Sequence, residues 1–259
     1  MPVVKLTLQY EGTEFVGWQR QAEGRSVQGA LEEALERLEG RRVPVAGAGR
    51  TDAGVHALGQ VASVEIAREM APDALSRALN AMLPETVRVV DAQFVAPEFH
   101  ARFSARHKTY GYRIVTDDVL SPFERRYAWH VRRSLHMEPM ALACECLVGR
   151  HDFAAFRSTG TDVATTVRTI FEATLEADHD PPRLPSGGVG STPSPALVFS
   201  IRGDGFLRHM VRILVGTLVE VGTGQRTPDS VVSALASGRR ADAGVTAPAQ
   251  GLFLVRVGY

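Results

Sequence analysis

The order of strand-like and helix-like patterns leaves few folds open to this 259-residue chain. Alternating apolar and polar residues predict a strand over Val3–Tyr10. A helical apolar stripe over Val27–Leu38 follows a candidate N-cap at Ser26 and stops at Gly40. The next four predicted elements are strands at Val43–Ala48 and Leu58–Ile66, a helix at Pro72–Met82 and a strand at Val87–Phe94. This part of the chain therefore has the order βαββαβ.

The remaining residues repeat that order. Strands are predicted at Thr109–Val115, Val167–Glu176, Ala196–Arg202 and Leu252–Val257, and helices at Met137–Leu147, from Phe206 onward and at Pro228–Ala236. We therefore predict an α+β fold of two ferredoxin-like halves, residues 1–100 and 101–259. Asp180–Pro195 is rich in Pro, Gly and Ser, and we expect a flexible loop there, at about 180–195.

One short segment between two predicted strands carries a candidate catalytic carboxylate. The run Gly49–His56 reads GRTDAGVH, so that Asp52 lies between two glycines and near Arg50. Glycines allow close approach of a substrate, and a nearby arginine favours an ionised carboxylate, which can act as a nucleophile or a base. Because Asp also caps turns in Gly-rich loops, the residue types alone leave a structural role open.

Seven segments in the same order resemble those of the TruA family of tRNA pseudouridine synthases. They are Gly17–Gln21 followed by Ser26–Gly29, then Gly49–Val64, His107–Tyr112, His151–Phe153, Thr166–Ile170, Phe206–Arg212 and Thr246–Leu252. The resemblance implies that Asp52 is the essential carboxylate, that Tyr110 stacks on the flipped uracil, and that Arg50 pairs with the carboxylate and assists flipping. It also implies two α/β halves whose antiparallel sheets merge around a central cleft.

The same resemblance implies a reaction and a partner. The expected reaction is isomerisation of uridine to pseudouridine at family positions 38, 39 and 40 in the anticodon stem-loop of tRNA, by a homodimer and without a cofactor. Whether the carboxylate attacks the sugar, attacks the base or removes a ribose proton stays open. Consistent with this chemistry, the sequence contains no phosphate-binding P-loop, no dinucleotide fingerprint and no HExxH zinc motif.

Arg208 is a further candidate for substrate binding. It lies four residues before Arg212 on the helix predicted from Phe206, so that both side chains are expected on one helix face, where they suit a phosphate or carboxylate group. A solvated basic face is the alternative interpretation.

The charge distribution favours an RNA partner although 29 basic residues balance 29 acidic ones. Between His100 and Arg133, eight basic residues face three acidic ones, a local charge of +5. No apolar stretch reaches membrane length and no signal peptide is evident, so we expect a cytoplasmic protein. Cys144 and Cys146 have the spacing of neither a disulfide nor a zinc site, and no metal site is predicted.

Two other function classes fit the sequence less well. A non-catalytic RNA-binding module of ferredoxin-like fold would leave the Asp52 segment without a purpose, and no RNP-type aromatic cluster lies on a predicted strand. A carboxylate-based hydrolase normally needs a partner acid or base, and the Asp52 segment offers no second carboxylate.

Overall fold

The fold belongs to the α+β class, as the sequence predicts. A computed structural model of the protein describes residues 1–158, 160, 163–178 and 196–259. Within these ranges the helices and strands are β1 (Val3–Tyr10), α1 (Val27–Glu39), β2 (Ala46–Gly47), β3 (His56–Glu65), α2 (Pro72–Met82), β4 (Val87–Val95), β5 (His107–Val115), β6 (Trp129–His130), α3 (Met137–Glu145), β7 (Gly149–Asp152), β8 (Val167–Asp178), β9 (Ala196–Gly203), α4 (Met210–Gly222), α5 (Asp229–Ser237) and β10 (Leu252–Gly258). The segment expected to form a flexible loop, 180–195, lies outside the described residues.

The chain divides into two compact units. Unit 1 comprises Met1–Lys108 together with Phe253–Tyr259, and unit 2 comprises Thr109–Leu252. Strand β10 therefore belongs to unit 1, apart from its first residue, Leu252. Within the described part of the chain, every helix is too short or too polar to cross a bilayer.

In unit 1 the strands lie in the order β4-β1-β3-β10, and β2 also pairs with β3. β1 is antiparallel to both β3 and β4, whereas β10 is parallel to β3, with Phe253 opposite His56. The register of β1 against β3 shifts between Leu8 and Tyr10. Such a bulge changes the direction of the side chains beside it. Tyr10 lies beside the bulge, and its side chain contacts Thr51 in the segment before β3.

Helix α1 forms where its sequence signals predict. The Ser26 hydroxyl accepts a hydrogen bond from the Gly29 N–H at 3.1 Å, which satisfies an amide that the first helical turn leaves without a partner. Gly40 ends the helix with φ of 69°, a left-handed conformation that suits glycine. The buried stripe of Val27, Leu31 and Leu35 supplies part of the core of unit 1.

In unit 2 the strands lie in the order β5-β9-β8-β7, and β6 runs parallel to β5. Helix α4 is buried over most of its surface, and two of its glycines lie very close to neighbouring atoms, one to backbone and one to a side chain. A Cβ on Gly216 would lie 1.8 Å from the Val245 carbonyl oxygen, and one on Gly222 would lie 2.4 Å from the Met140 sulfur. This helix is the centre of the unit 2 core.

The structure corrects several predicted boundaries. The strand predicted at Val43–Ala48 is reduced to Ala46–Gly47, and β3 begins at His56, two residues before the prediction. The strands β6 and β7 were not predicted at all. The helix predicted from Phe206 begins only at Met210, and this difference changes the interpretation of Arg208.

Candidate active site

Asp52 lies on the segment that joins β2 to β3, here called the Asp52 loop and comprising Ala48–Val55. The loop is fixed at its start by the Gln60 side chain, whose Nε2 donates a hydrogen bond to the Gly49 carbonyl oxygen at 2.9 Å. It turns after the carboxylate, where the Val55 N–H donates to the Asp52 carbonyl oxygen at 3.2 Å and Gly54 has φ of 77°. The Asp52 side chain is half-buried on a segment whose backbone is held on both sides.

The residue before the carboxylate anchors the loop to the core. Thr51 is buried, and its hydroxyl is hydrogen-bonded to the Tyr10 hydroxyl at 2.8 Å. Gln60, which is fully buried, also donates to the Tyr10 hydroxyl at 3.3 Å. Burial raises the pKa of Tyr10 to about 12, so this phenol stays protonated at neutral pH and keeps a proton to donate within the cluster.

A second segment, the strap formed by Gly12–Trp18, lies directly against the Asp52 loop. The Trp18 N–H donates to the Thr51 carbonyl oxygen at 3.0 Å, and the Gly54 N–H donates to the Phe15 carbonyl oxygen at 3.3 Å. Gly17 has φ of 112°, and a Cβ there would lie 2.5 Å from the Thr51 carbonyl oxygen. Two backbones can approach this closely only where one of them has no side chain.

The other end of the strap is tied to the first residue of β3. The Gly12 N–H donates to Nδ1 of His56 at 2.9 Å, so His56 carries its ring proton on Nε2 in this arrangement. A Cβ on Gly12 would lie 2.0 Å from the Val55 carbonyl oxygen. His56 is buried and its ring stacks on Phe253 at a centroid distance of 4.8 Å. His56 is therefore a hydrogen-bonded core residue.

Arg50 and Lys108 supply positive charge at the Asp52 loop. Arg50, two residues before Asp52, has an exposed side chain. Lys108 is half-buried and lies across Gly49: its Cε and Nζ atoms are 3.2 Å and 3.6 Å from the position that a Cβ on Gly49 would occupy. Sequence reasoning counted Lys108 among the basic residues but did not assign it to the site. Its place in the His107–Tyr112 segment was the only signal.

Tyr110 lies on β5 in unit 2 and is largely buried. Its ring meets Phe206 edge to face, with a centroid distance of 5.0 Å and an interplanar angle of 78°. Such a contact fixes the plane of the Tyr110 ring. Phe206 was not predicted as a site residue, although it stands in the same sequence segment as Arg208. Tyr112, two residues further along β5, is fully buried and donates its hydroxyl proton to the Pro248 carbonyl oxygen at 2.7 Å, so it is a core residue.

The predicted position of Arg208 on a helix is wrong. His209 has φ of 61°, a left-handed conformation that an α-helix of L-residues excludes, so α4 cannot extend back to Phe206. The His209 Nδ1 and the Ser158 hydroxyl are hydrogen-bonded at 2.7 Å, and the Ser158 N–H donates to the Arg208 carbonyl oxygen. Arg208 therefore sits on an exposed turn before the helix.

Arg212 and Arg208 do not lie on the same helix. Arg212 lies within α4, and its Nε donates to the Ala247 carbonyl oxygen at 2.8 Å. In return, the Ala247 N–H donates to the Arg212 carbonyl oxygen at 3.0 Å. This pair of hydrogen bonds joins the helix to the segment 246–252, so Arg212 has a structural contact that the sequence did not reveal.

The described residues contain no group of three or more His, Cys, Asp or Glu side chains that could hold a metal ion. Cys144 and Cys146 are not bonded to each other. Burial raises the pKa of the Cys144 thiol to about 12, which keeps it protonated and unreactive. At the Asp52 loop the structure places the Asp52 carboxylate on the same segment as Arg50, with Lys108 across Gly49.

The family comparison covers this loop. A family described as tRNA pseudouridine synthase matches residues 7–104 and 143–259. The chain belongs to the tRNA pseudouridine synthase family. Asp52, Arg50, Arg208 and the whole strap lie within the matched ranges, whereas Tyr110 and Lys108 lie in the interval between them.

Full-length relatives agree with the family assignment. A protein of Syntrophotalea carbinolica named tRNA pseudouridine synthase A is 45% identical over 259 residues, which cover 100% of this chain and 97% of the relative. Proteins with the same name from Myxococcus xanthus and Acetivibrio thermocellus are 47% and 42% identical and cover 100% and 99% of this chain, and 92% and 99% of their own lengths. The resemblance to the TruA family is confirmed.

Proposed function

We propose that this protein converts uridine to pseudouridine in the anticodon stem-loop of tRNA, at the family positions 38, 39 and 40, with Asp52 as the catalytic carboxylate. Membership of the tRNA pseudouridine synthase family makes the protein an isomerase that acts on tRNA. The observation that supports the role of Asp52 is its position, half-buried on a loop that the strap, Tyr10 and Gln60 hold in place.

The reaction needs no group donor and no redox partner. The bond from uracil N1 to ribose C1′ breaks, a bond from uracil C5 to C1′ forms, the hydrogen on C5 leaves to solvent as a proton, and N1 takes up a proton from solvent. Asp52 acts either as a nucleophile on the sugar or the base, or as a base that removes a ribose proton. Each route requires an ionised carboxylate in a fixed place, and an immobile loop lowers the entropic cost of reaching that geometry.

The target uridine must leave its stack before it can react, at a cost of a few kcal/mol. Tyr110 would receive the extruded uracil, because its ring plane is already set by Phe206 and base stacking on an aromatic ring contributes about 1 to 3 kcal/mol. Arg50 and Arg208 would contact the RNA, since both side chains are exposed. Guanidinium groups suit phosphates through paired hydrogen bonds.

The test of this proposal is the release of tritium from tRNA labelled at uracil C5, because isomerisation expels that hydrogen without cutting the RNA. Asp52→Asn keeps the size of the side chain and removes its charge. We expect label release to fall on the order of 10³-fold or more. Affinity for tRNA should stay within several-fold, measured by filter binding.

Asp73→Asn is the matched control, since Asp73 is an exposed carboxylate of the same unit in the first turn of α2. It should release label at the wild-type rate. Turnover by Asp52→Asn at the wild-type rate would remove Asp52 from the mechanism. Release of free uracil would instead point to a hydrolase, and tRNA binding without any release to a non-catalytic RNA-binding module.

The proposal also includes the origin of the two halves of the chain, the cellular location and the oligomeric state. The strand order β4-β1-β3 in unit 1, with α1 and α2 placed between its strands along the chain, supports a ferredoxin-like origin of the N-terminal half. The segment 101–259 would be the second such half. Cytoplasmic location and a homodimer complete the proposal, and sedimentation equilibrium of the purified protein would measure the second.

A further inference from the structure

The Phe103 side chain is unusually open to solvent. It is 77% exposed, more than the exposed phenylalanines Phe94, Phe123 and Phe171. An aromatic ring of this size is normally removed from water, because burial of a phenylalanine side chain is favourable. Phe103 is held away from the core of unit 1 by the turn that carries it, and this turn is His100–Ser104.

The turn is fixed by hydrogen bonds on both sides. Ala101, at its centre, is fully buried; its N–H donates to the Ser63 hydroxyl at 3.1 Å, and its carbonyl oxygen accepts from the Tyr259 hydroxyl at 2.8 Å. Within the turn, the Ser104 N–H donates to the His100 carbonyl oxygen at 2.9 Å. The ring is therefore presented by a well-anchored backbone rather than by a loose loop.

Two nitrogen-rich side chains flank the ring. The imidazole of His100 lies 4.4 Å from the Phe103 ring, centroid to centroid, and the guanidinium carbon of Arg102 lies 5.6 Å from its centroid. The Arg102 N–H donates to Nδ1 of His100 at 3.1 Å, which fixes the imidazole in this position. The ring keeps most of its surface open beside a cation.

The surrounding chain is basic. From Phe99 to Lys108 the sequence contains Arg102, Arg106 and Lys108 and no Asp or Glu, a formal charge of +3 with the histidines neutral. Both arginines are exposed. Positive charge beside an open aromatic ring complements a nucleotide, whose base has a π face and whose phosphate is anionic.

We propose that Phe103 is a stacking platform for one unstacked base of the tRNA substrate, other than the target uridine, with Arg102 and Arg106 on the adjoining phosphates. This inference rests on the proposed function, because it assumes that RNA is the ligand. Extrusion of the target leaves the bases beside it without their stacking partner, and an aromatic ring at a fixed position replaces part of that lost contact.

The test compares three substitutions at one position, with an unmodified tRNA transcript as the probe. Phe103→Ala should weaken tRNA affinity about tenfold, and Phe103→Leu should do the same because it keeps apolar bulk without a π face. Phe103→Trp should bind as tightly as wild type or more tightly, and its indole fluorescence should be quenched by tRNA. In the tritium-release assay, Phe103→Ala and Phe103→Leu should raise KM and leave kcat unchanged.

Phe94→Ala is the matched control, since Phe94 is also an exposed phenylalanine of unit 1, and its affinity for tRNA should equal that of wild type. The ratio of Phe103→Ala affinity to wild-type affinity should stay constant between low and high KCl. Arg102→Gln should instead reduce the slope of log affinity against log salt by the amount expected for about one phosphate contact.

Several outcomes would overturn the platform. The first is a tRNA affinity of Phe103→Ala equal to that of wild type. The second is a tRNA affinity of Phe103→Leu equal to that of wild type. The third is a change of oligomeric mass in Phe103→Ala, because it would make Phe103 a protein contact. These failures are separate from failure of the proposed function. That failure would appear as a wild-type protein that releases no tritium, whatever residue stands at position 103.

Discussion

At the scale of single residues, the main task of the site is to hold one carboxylate in a fixed position. Thr51 connects Asp52 to the interior through the Tyr10 hydroxyl, and Gln60 connects both to Gly49. Each of these polar groups is buried and hydrogen-bonded, so that movement of the loop would break bonds that water cannot easily replace. The cluster therefore restrains the Asp52 loop through buried side chains.

The Tyr10 phenol should make stability depend on alkaline pH. Because its pKa is raised from 10.0 to about 12, the folded state favours the neutral phenol, and this contribution is complete below pH 10 and is lost as the pH rises to about 12. When the pH rises from 8 to 11, the free energy of unfolding of wild type should therefore fall further than that of Tyr10→Phe. The difference between the two falls should be about 1 kcal/mol.

Urea unfolding at the two pH values measures this difference. At pH 8 the variant should be less stable than wild type by about 1 to 2 kcal/mol, because Thr51 and Gln60 lose a partner. Tyr127→Phe, at an exposed tyrosine, serves as the control. An equal fall in stability for Tyr10→Phe and wild type would show that Tyr10 does not titrate as its burial predicts.

Lys108 should contribute to catalysis through its charge near Gly49. Lys108→Met keeps the aliphatic stem and removes the ammonium. We expect kcat/KM for tritium release to fall roughly tenfold, because the free energy of one charge-assisted hydrogen bond corresponds to a change of that size. Lys5→Met is a close control, since Lys5 is the only other lysine of the chain and is half-buried in β1. Equal activity of the two variants would assign Lys108 to packing alone.

The sequence points to some candidate site residues and not to others, for a physical reason. Asp52 and Arg50 are candidates because their segment resembles one of the TruA family, whereas residue types alone leave a structural role open. Lys108 and Phe103 were missed because their significance depends on distance and exposure: one reaches Gly49 from a remote part of the chain, and the other is an apolar residue that the fold leaves in water. Neither property can be read from residue type.

At the scale of elements, the strap and the Asp52 loop form a pair of irregular segments that support each other. Neither has the regular hydrogen bonds of a helix or strand, and their stability comes from bonds between them, such as Trp18 N–H to Thr51 and Gly54 N–H to Phe15. Glycines occupy the points of closest approach. The position of the carboxylate is thus set by a segment about forty residues earlier in the chain.

Gly17→Ala should disturb this pair. It places a methyl group 2.5 Å from the Thr51 carbonyl oxygen at φ of 112°, so we expect a loss of at least about 2 kcal/mol in the free energy of unfolding and a large fall in kcat. Gly40→Ala has positive φ as well, but nothing lies within 4 Å of the new methyl group. It should lose only about 1 kcal/mol and keep its activity.

Thermal unfolding and tritium release together check this prediction. If Gly17→Ala and Gly40→Ala lose the same stability and both remain active, backbone strain alone would account for the effect, and the contact with Thr51 would have no special importance for the site.

Element boundaries show where the sequence pattern stops being informative. β7 consists of Gly149–Asp152, a polar run without alternation, and it exists only because it pairs with β8. The start of α4 was misplaced since Phe206 and Leu207 fit a helical apolar pattern, whereas the left-handed His209 is stabilised by a hydrogen bond to Ser158, which is remote in sequence. Both features depend on tertiary contacts.

At the scale of the whole molecule, a net charge of zero coexists with a basic region. Such a protein has little long-range attraction for RNA, so contacts between exposed arginines and phosphates must supply the electrostatic part of binding. Arg102, Arg106, Arg125, Arg132 and Arg133 are exposed, whereas Arg113 is paired with Glu124 at 3.2 Å.

Affinity for tRNA should therefore fall steeply as salt rises, by about 0.7 to 0.9 in the log–log slope for each phosphate contacted. The combined change Arg125→Gln, Arg132→Gln and Arg133→Gln should reduce that slope by about two. The same change at Arg37, Arg42 and Arg68, three exposed arginines of unit 1, should leave it unaltered. Filter binding over a KCl series measures both slopes, and a flat wild-type response would rule out this region as the tRNA contact.

The return of β10 to unit 1 has a consequence for how the protein is made. Phe253 pairs with the first residue of β3 and packs on its imidazole, so the sheet beside the Asp52 loop includes residues that leave the ribosome two hundred positions after the loop itself. A nascent chain that stalls before Phe253 carries Asp52 but not the strand that completes its surroundings. Incomplete polypeptides therefore lack part of the sheet that surrounds the proposed catalytic carboxylate, and we expect productive engagement of tRNA only from chains that include β10.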